Sequence, residues 1–179
     1  MLRFQAIALS ALAALLGVSA DVGRAQPVFG ADGGTRDFVS INKATGVGTS
    51  ITKIPSPYTT FGLAFRGSNL YTWNQLTNRL MQLDPVTGNV LTTINLGIGN
   101  TLGSGGGDIA FRSDGIGFLS AGSRFYQFDI TGPSSTLITN SLSATLTGLA
   151  FDSADVLYGA CASSSKLFIV KQSVLFTEV

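Results

Sequence analysis

Two short phrases recur along this chain at a near-constant period, and such a chain folds by stacking copies of one supersecondary unit. The first phrase is Gly62-Leu63-Ala64-Phe65, Gly107-Asp108-Ile109-Ala110-Phe111 and Gly148-Leu149-Ala150-Phe151, with its phenylalanines 46 and 40 residues apart. The second occurs four times, as Phe38-Val39-Ser40-Ile41-Asn42, Leu80-Met81-Gln82-Leu83-Asp84, Phe125-Tyr126-Gln127-Phe128-Asp129 and Leu167-Phe168-Ile169-Val170-Lys171. A Thr-Gly pair follows three of these: Thr45-Gly46, Thr87-Gly88 and Thr131-Gly132. Ten residues separate Val28-Phe29 from Phe38, Leu70-Tyr71 from Leu80 and Leu157-Tyr158 from Leu167; the copy around Gly117-Phe118 has a shorter connector.

Each unit reads as four strands. In one copy they are Gly62 to Phe65, Leu70 to Trp73, Arg79 to Asp84 and Val90 to Leu96, short Leu/Phe/Tyr/Val/Thr runs between Gly, Asn, Asp and Ser clusters. Glycine interrupts almost every window long enough for a helix. In Asp84-Pro85-Val86-Thr87-Gly88, Asp84 caps the turn, Pro85 sets φ near −65° and Gly88 takes the positive φ that closes it. A period of about 40–45 residues with four strands each predicts propeller blades. Small Gly-x-Ala residues suit an inner strand at a crowded axis, and middle strands apolar on both faces suit burial between blades. A β-sandwich also has many short strands, but it has no reason to repeat its turn chemistry at a fixed period. The expected fold is therefore all-β, about four propeller-type blades. From Val28 the chain enters at a blade's second strand, and no first-strand phrase remains to complete that blade, so the ring is expected to be open or incomplete.

The unit from Leu70-Tyr71 through Arg79-Leu80-Met81-Gln82-Leu83-Asp84-Pro85-Val86-Thr87-Gly88-Asn89-Val90 resembles the exported bacterial propellers built from NHL-like, YVTN-like and quinoprotein-like repeats. Such proteins often carry a PEP-CTERM sorting tail; this chain stops at Thr177-Glu178-Val179 with no Pro-Glu-Pro phrase, apolar helix or basic end. The resemblance implies architecture and no particular activity. Asp84, Thr87 and Gly88 match the Asp-x-x-Thr-Gly turn of quinoprotein repeats, but Leu91 to Ile94 stand where those repeats carry a tryptophan. No cofactor follows from the match.

Ahead of the repeats, a single charge at Arg3 precedes an apolar stretch from Ala6 to Val18, then the small-residue patterns Val18-Ser19-Ala20 and Gly23-Arg24-Ala25. That is the layout of a secretory signal peptide over residues 1–25, with 26–179 as the repeat domain. The apolar run is shorter than the ~20 residues of a spanning helix, so no membrane span is expected in the mature chain, which is placed in the periplasm, at the cell surface or outside the cell. Cys161, the one cysteine, offers neither a lipidation site nor a disulfide pair and reads as a small buried residue. The chain has 11 basic and 10 acidic residues; Arg3, Arg24 and Asp21 fall in the leader, which leaves nine of each. Neither a nucleic acid nor an anionic membrane is a natural partner for so balanced a surface.

The chain has no histidine. A Ser-His-Asp triad and a His-type metal site are therefore excluded. Asp84 and Asp129, with Asn42 in the same place, read as turn caps more readily than as calcium ligands or acids. Arg79, Arg124 and Lys166 flank third strands, as charges that discourage edge pairing do. Gly103-Ser104-Gly105-Gly106-Gly107 lacks the Lys-Ser/Thr and helix of a phosphate loop. Asp108 is the only acid inside an inner phrase. Trp73 and Asn74 are the candidate ligand-binding residues, since Trp73 ends a strand where a loop begins; the competing reading of Trp73 is a wedge packed between blades. No catalytic, metal or cofactor residues are assigned. The expected function is a non-catalytic exported propeller, or part of one, that binds a protein or a small molecule and self-associates through its open blade edges. The competing expectation is a fragment of a propeller enzyme, lactonase-like or quinoprotein, whose catalytic residues lie on other blades.

Overall fold

The computed structural model describes residues 28–32, 35–55, 60–99, 107–171 and 176–178. The leader 1–25 and residues 103–106 of the glycine run lie outside the described residues. Fifteen strands and no helix are found within them, and no helix there is long and apolar enough to cross a membrane.

The strands form four antiparallel sheets in chain order. Blade 1 is β1 (Val28–Ala31), β2 (Asp37–Ile41) and β3 (Gly48–Lys53). Blade 2 is β4 (Thr60–Arg66), β5 (Asn69–Asn74), β6 (Arg79–Leu83) and β7 (Val90–Ile94). Blade 3 is β8 (Gly107–Phe111), β9 (Gly117–Ala121), β10 (Arg124–Asp129) and β11 (Ser134–Thr139). Blade 4 is β12 (Gly148–Phe151), β13 (Leu157–Cys161), β14 (Lys166–Val170) and β15 (Phe176–Glu178). The inner strands gather at the axis, β8 against both β4 and β12, with β1 beside β4. The blades form an open arc, and blade 1 has three strands among the described residues.

The turns between third and fourth strands close as their residue types require. Asp84 Oδ1 accepts the N–H groups of Val86 and Thr87 at 2.8 and 3.4 Å, and Gly88, at φ 71°, donates to the Asp84 carbonyl at 2.7 Å. Asn42 repeats this with Ala44, Thr45 and Gly46. Asp129 accepts from the Thr131 N–H and hydroxyl at 2.8 and 2.6 Å. These donors hold Asp84 and Asp129 below the usual carboxylate range: the Val86 N–H first for Asp84, the Thr131 hydroxyl first for Asp129. All three side chains are committed to local turns.

Three apolar clusters fill the three seams between neighbouring blades. Phe38 and Ile54 of blade 1 meet Leu70, Met81 and Leu83 of blade 2. Tyr71, Trp73 and Leu80 of blade 2 meet Ile109, Leu119, Tyr126 and Phe128 of blade 3. Phe118 and Phe125 of blade 3 meet Leu149, Leu157 and Val170 of blade 4. One aromatic contact recurs at each seam: Phe65 on Phe29 at 6.0 Å, Phe111 on Tyr71 at 5.3 Å and Phe151 on Phe118 at 5.5 Å. The repeat predicts burial for Leu63, Phe65, Leu83, Phe111, Phe128, Phe151 and Val170, and none of the seven is exposed. Leu83, Phe128 and Val170 are buried, but Leu63, Phe65, Phe111 and Phe151 are only half-buried. The three phenylalanines lie at or near the C-terminal ends of inner strands, where the blade gives way to a turn, and Leu63 borders an open hollow at the axis.

Candidate functional site at the blade axis

The axial hollow follows from one irregular glycine. Gly62 sits at φ 65° where the pairing of β4 with β5 slips between Phe61 and Ala64. The Thr72 hydroxyl fixes this bulge by donating to the Gly62 carbonyl at 2.7 Å. A Cβ at Gly62 would overlap Asp108 Oδ1 and stand 2.8 Å from the Ile109 nitrogen. Only a residue without a side chain lets the Asp108 carboxylate approach, and the positive φ makes the same demand.

Asp108 joins two blades. Its Oδ1 accepts the Ile109 N–H at 2.8 Å in its own strand, and its Oδ2 accepts the Leu149 N–H of blade 4 at 2.7 Å. Ser120, fully buried, accepts the Asp108 N–H at 3.0 Å and donates to the Leu146 carbonyl at 2.9 Å, a second tie across the same seam. Burial pushes the Asp108 carboxyl up to about 6 while the Leu149 and Ile109 N–H groups pull against the rise. At neutral pH it is an anion with one backbone donor on each oxygen.

Residues of all four blades line the hollow, of about 210 Å³: Phe29, Gly30 and Ala31 of β1, Gly62 and Leu63 of β4, Asp108 of β8, and Thr147 just before β12. A second hollow, of about 230 Å³, lies on blade 4 between Asp108 and the apolar residues Leu149, Ala150, Tyr158, Ala160 and Leu167. Among the described residues no three His, Cys, Asp or Glu side chains come together. Among the described residues lining the two hollows, Asp108 is the one carboxylate, with the Thr147 side chain on the wall of the first and Tyr158 on the wall of the second. A carboxylate engaged by two N–H groups offers a negative charge and a proton site, beside the Thr147 and Tyr158 side chains on the walls.

Trp73 and Asn74 are adjacent on β5 and line neither hollow. Trp73 is 1 % exposed within the seam between blades 2 and 3, and its buried indole N–H finds no hydrogen-bond partner among the described residues. Asn74 is fully buried and caps the next turn, its Oδ1 accepting from Leu76 and Thr77 at 3.0 and 3.4 Å. Cys161 is buried with its sulfur 3.2 Å from the Ser163 hydroxyl oxygen. Arg79, Arg124 and Lys166 open β6, β10 and β14. The sequence flags Asp108 by its place in an inner phrase, but its link to Leu149 connects residues 41 apart and no local pattern announces it.

No family model matches this sequence, and no curated protein matches it. Solved structures do. Virginiamycin B lyase from Staphylococcus aureus superposes with a TM-score of 0.57 at 14% identity over 86% of this chain and 51% of its own. A chain of the nidogen/laminin complex gives 0.60 at 16% identity over 85% and 60%. A gluconolactonase from Xanthomonas campestris gives 0.55 at 14% over 86% and 57%. This chain therefore spans roughly half to three fifths of those lengths, and the likeness, at such identities, is one of fold: four blades of β-propeller type.

Proposed function

We propose that this chain is a non-catalytic exported propeller module that binds an extracellular or cell-surface partner. The observation that supports this is the bland axis. Glycine, alanine, threonine, leucine and phenylalanine line the hollow where the blades converge, and its single carboxylate is held by two backbone N–H groups. An enzyme built there would need a second acid or base within reach of the reacting atoms, and Thr147 is the other polar side chain on that wall. The binding role has a parallel in the nidogen/laminin complex, where a chain of the same fold is part of a protein–protein assembly. The export route and the likeness to NHL-, YVTN- and quinoprotein-like repeats belong to this reading. A second reading, a piece of a propeller enzyme, draws on the lyase and gluconolactonase, of which this chain spans 51% and 57%.

One experiment separates the two. The purified chain is offered lactone substrates, with and without calcium, and in parallel is fluorescently labelled and incubated with the producing cells. Background turnover that is unchanged in Asp108→Asn, together with saturable and protease-sensitive retention on the cell surface, is expected. Turnover abolished by Asp108→Asn, or no surface retention, would overturn the binding reading.

A further inference from the structure

We propose that the inner edge of β1 is an acceptor for a separate extended polypeptide strand of the Gly-x-Ala-Phe type. The inference goes beyond the function proposed above, since it stands on blade 1 and holds whether or not the axis is catalytic.

Blades 2 and 4 place this phrase, and blade 3 the one-residue-longer Gly107-Asp108-Ile109-Ala110-Phe111, on the innermost strand, antiparallel to the second. Phe65 lies opposite Leu70, Phe111 opposite Gly117 and Phe151 opposite Leu157. Gly107 and Gly148 lie opposite Ala121 and Ala160. The glycine is required by close approach in blade 3, where a Cβ on Gly107 would run into the Ser120 carbonyl.

In blade 1, β1 holds the second-strand place. Val28 pairs with Ile41 as Leu70 pairs with Leu83. Among the described residues β1 is hydrogen-bonded to β2 alone, and none of them pairs with its other edge. That edge faces open space, because Phe29, Gly30 and Ala31 form one wall of the axial hollow.

The register is that of blade 4, where Gly148, Leu149, Ala150 and Phe151 lie opposite Ala160, Gly159, Tyr158 and Leu157. The incoming glycine falls opposite Ala31, the variable residue opposite Gly30, the alanine opposite Phe29 and the phenylalanine opposite Val28. Val28 is 41% exposed, whereas its counterparts Leu70 and Leu157 are 1% and 3% exposed. The aromatic ring of the ligand supplies the cover that Val28 lacks. Backbone hydrogen bonds supply affinity in strand addition, and alternate side-chain positions supply specificity.

The test uses the full chain, purified as its cell processes it, and a labelled eight-residue peptide with the sequence of residues 145–152, Thr-Leu-Thr-Gly-Leu-Ala-Phe-Asp. Fluorescence anisotropy is expected to show saturable one-to-one binding, weakened at least tenfold when the peptide phenylalanine becomes alanine. Two further peptides are N-methylated on alternate residues. One should lose binding and the other keep it, because only every second N–H of a strand faces its neighbour. In the protein, Val28→Lys should weaken binding at least tenfold, and Leu137→Lys, at an exposed position on β11 of blade 3, should leave it unchanged. Absence of binding, equal tolerance of both N-methylation patterns, or undiminished binding to Val28→Lys would each overturn the proposal. The N-methyl comparison decides the matter even where Val28→Lys fails to fold.

Discussion

Replacing Asp108 with asparagine should change how stability depends on pH more than it changes stability itself. The native carboxyl is raised from 3.8 to about 6, with burial the first cause. A raised native pKa means that the folded chain holds its proton after the unfolded chain has released it. The favourable contribution is thus complete below about pH 4 and is lost as pH rises through 6. At about 1.4 kcal/mol per pKa unit, the difference between 3.8 and 6 is worth roughly 3 kcal/mol. Asparagine has no charge to desolvate, so its stability should not fall over this window. It also places an amide where one backbone N–H now finds an acceptor, at a cost of about 1–3 kcal/mol. The two effects nearly offset one another at pH 7, and the cost alone remains at pH 4. Urea unfolding at half-unit steps from pH 4 to 7, read from the fluorescence of the single, buried Trp73, measures both proteins. The wild type should lose up to about 3 kcal/mol relative to Asp108→Asn across the range. Parallel curves would refute the argument, because every other titrating group is common to the two proteins.

Leu83→Ala and Phe128→Ala, each at a fully packed seam, should cost about 2–5 kcal/mol in denaturant unfolding; losses under 1 kcal/mol would show that the seams are loose. Gly46 and Gly88 share φ near 72°, but a Cβ at Gly46 meets nothing within 4 Å, whereas one at Gly88 presses on Thr52 and stands 2.8 Å from the Phe38 ring. Gly46→Ala should therefore cost about 1 kcal/mol of backbone strain, and Gly88→Ala distinctly more, with equal losses telling against the contact between blades 1 and 2. Leu167, 44% exposed beside Tyr158 and Ala160 on blade 4, belongs to an apolar surface of the kind that drives association. Sedimentation velocity should show self-association that Leu167→Lys reduces; a wild-type chain monomeric at every concentration would contradict this.

The strands were legible because their period, turn residues and apolar runs are all local. The reading Arg79 to Asp84, for example, differs from β6 by a single residue. Asp84, Asp129 and Asn42 were legible as caps for the same reason, each bonding within three residues of itself. The wedge reading of Trp73 matches its place in the seam. The axial site was not legible. Leu63 reads as core from its phrase, but its surroundings depend on β1, β8 and Thr147, which the chain brings together from distant positions. Gly62 reads as one more small inner-strand residue; its bulge and its contact with Asp108 arise only when β4 and β8 come side by side.

The three apolar clusters each join adjacent blades, and this sets the distance over which one part of the molecule feels another. Such a structure behaves as a short one-dimensional chain of units, each stabilised by itself and by its nearest neighbours. Among the described residues, blades 2 and 3 are clamped on both sides, whereas blades 1 and 4 are each held through one seam. Melting should therefore begin at the ends and travel inward, with amide protection highest in β5, β9 and β10 and falling toward β2 and β14. A lesion in one seam would divide the molecule into two independently melting halves. The same arithmetic makes the fold extensible, because a blade gained or lost at either end alters one seam and leaves the others as they were.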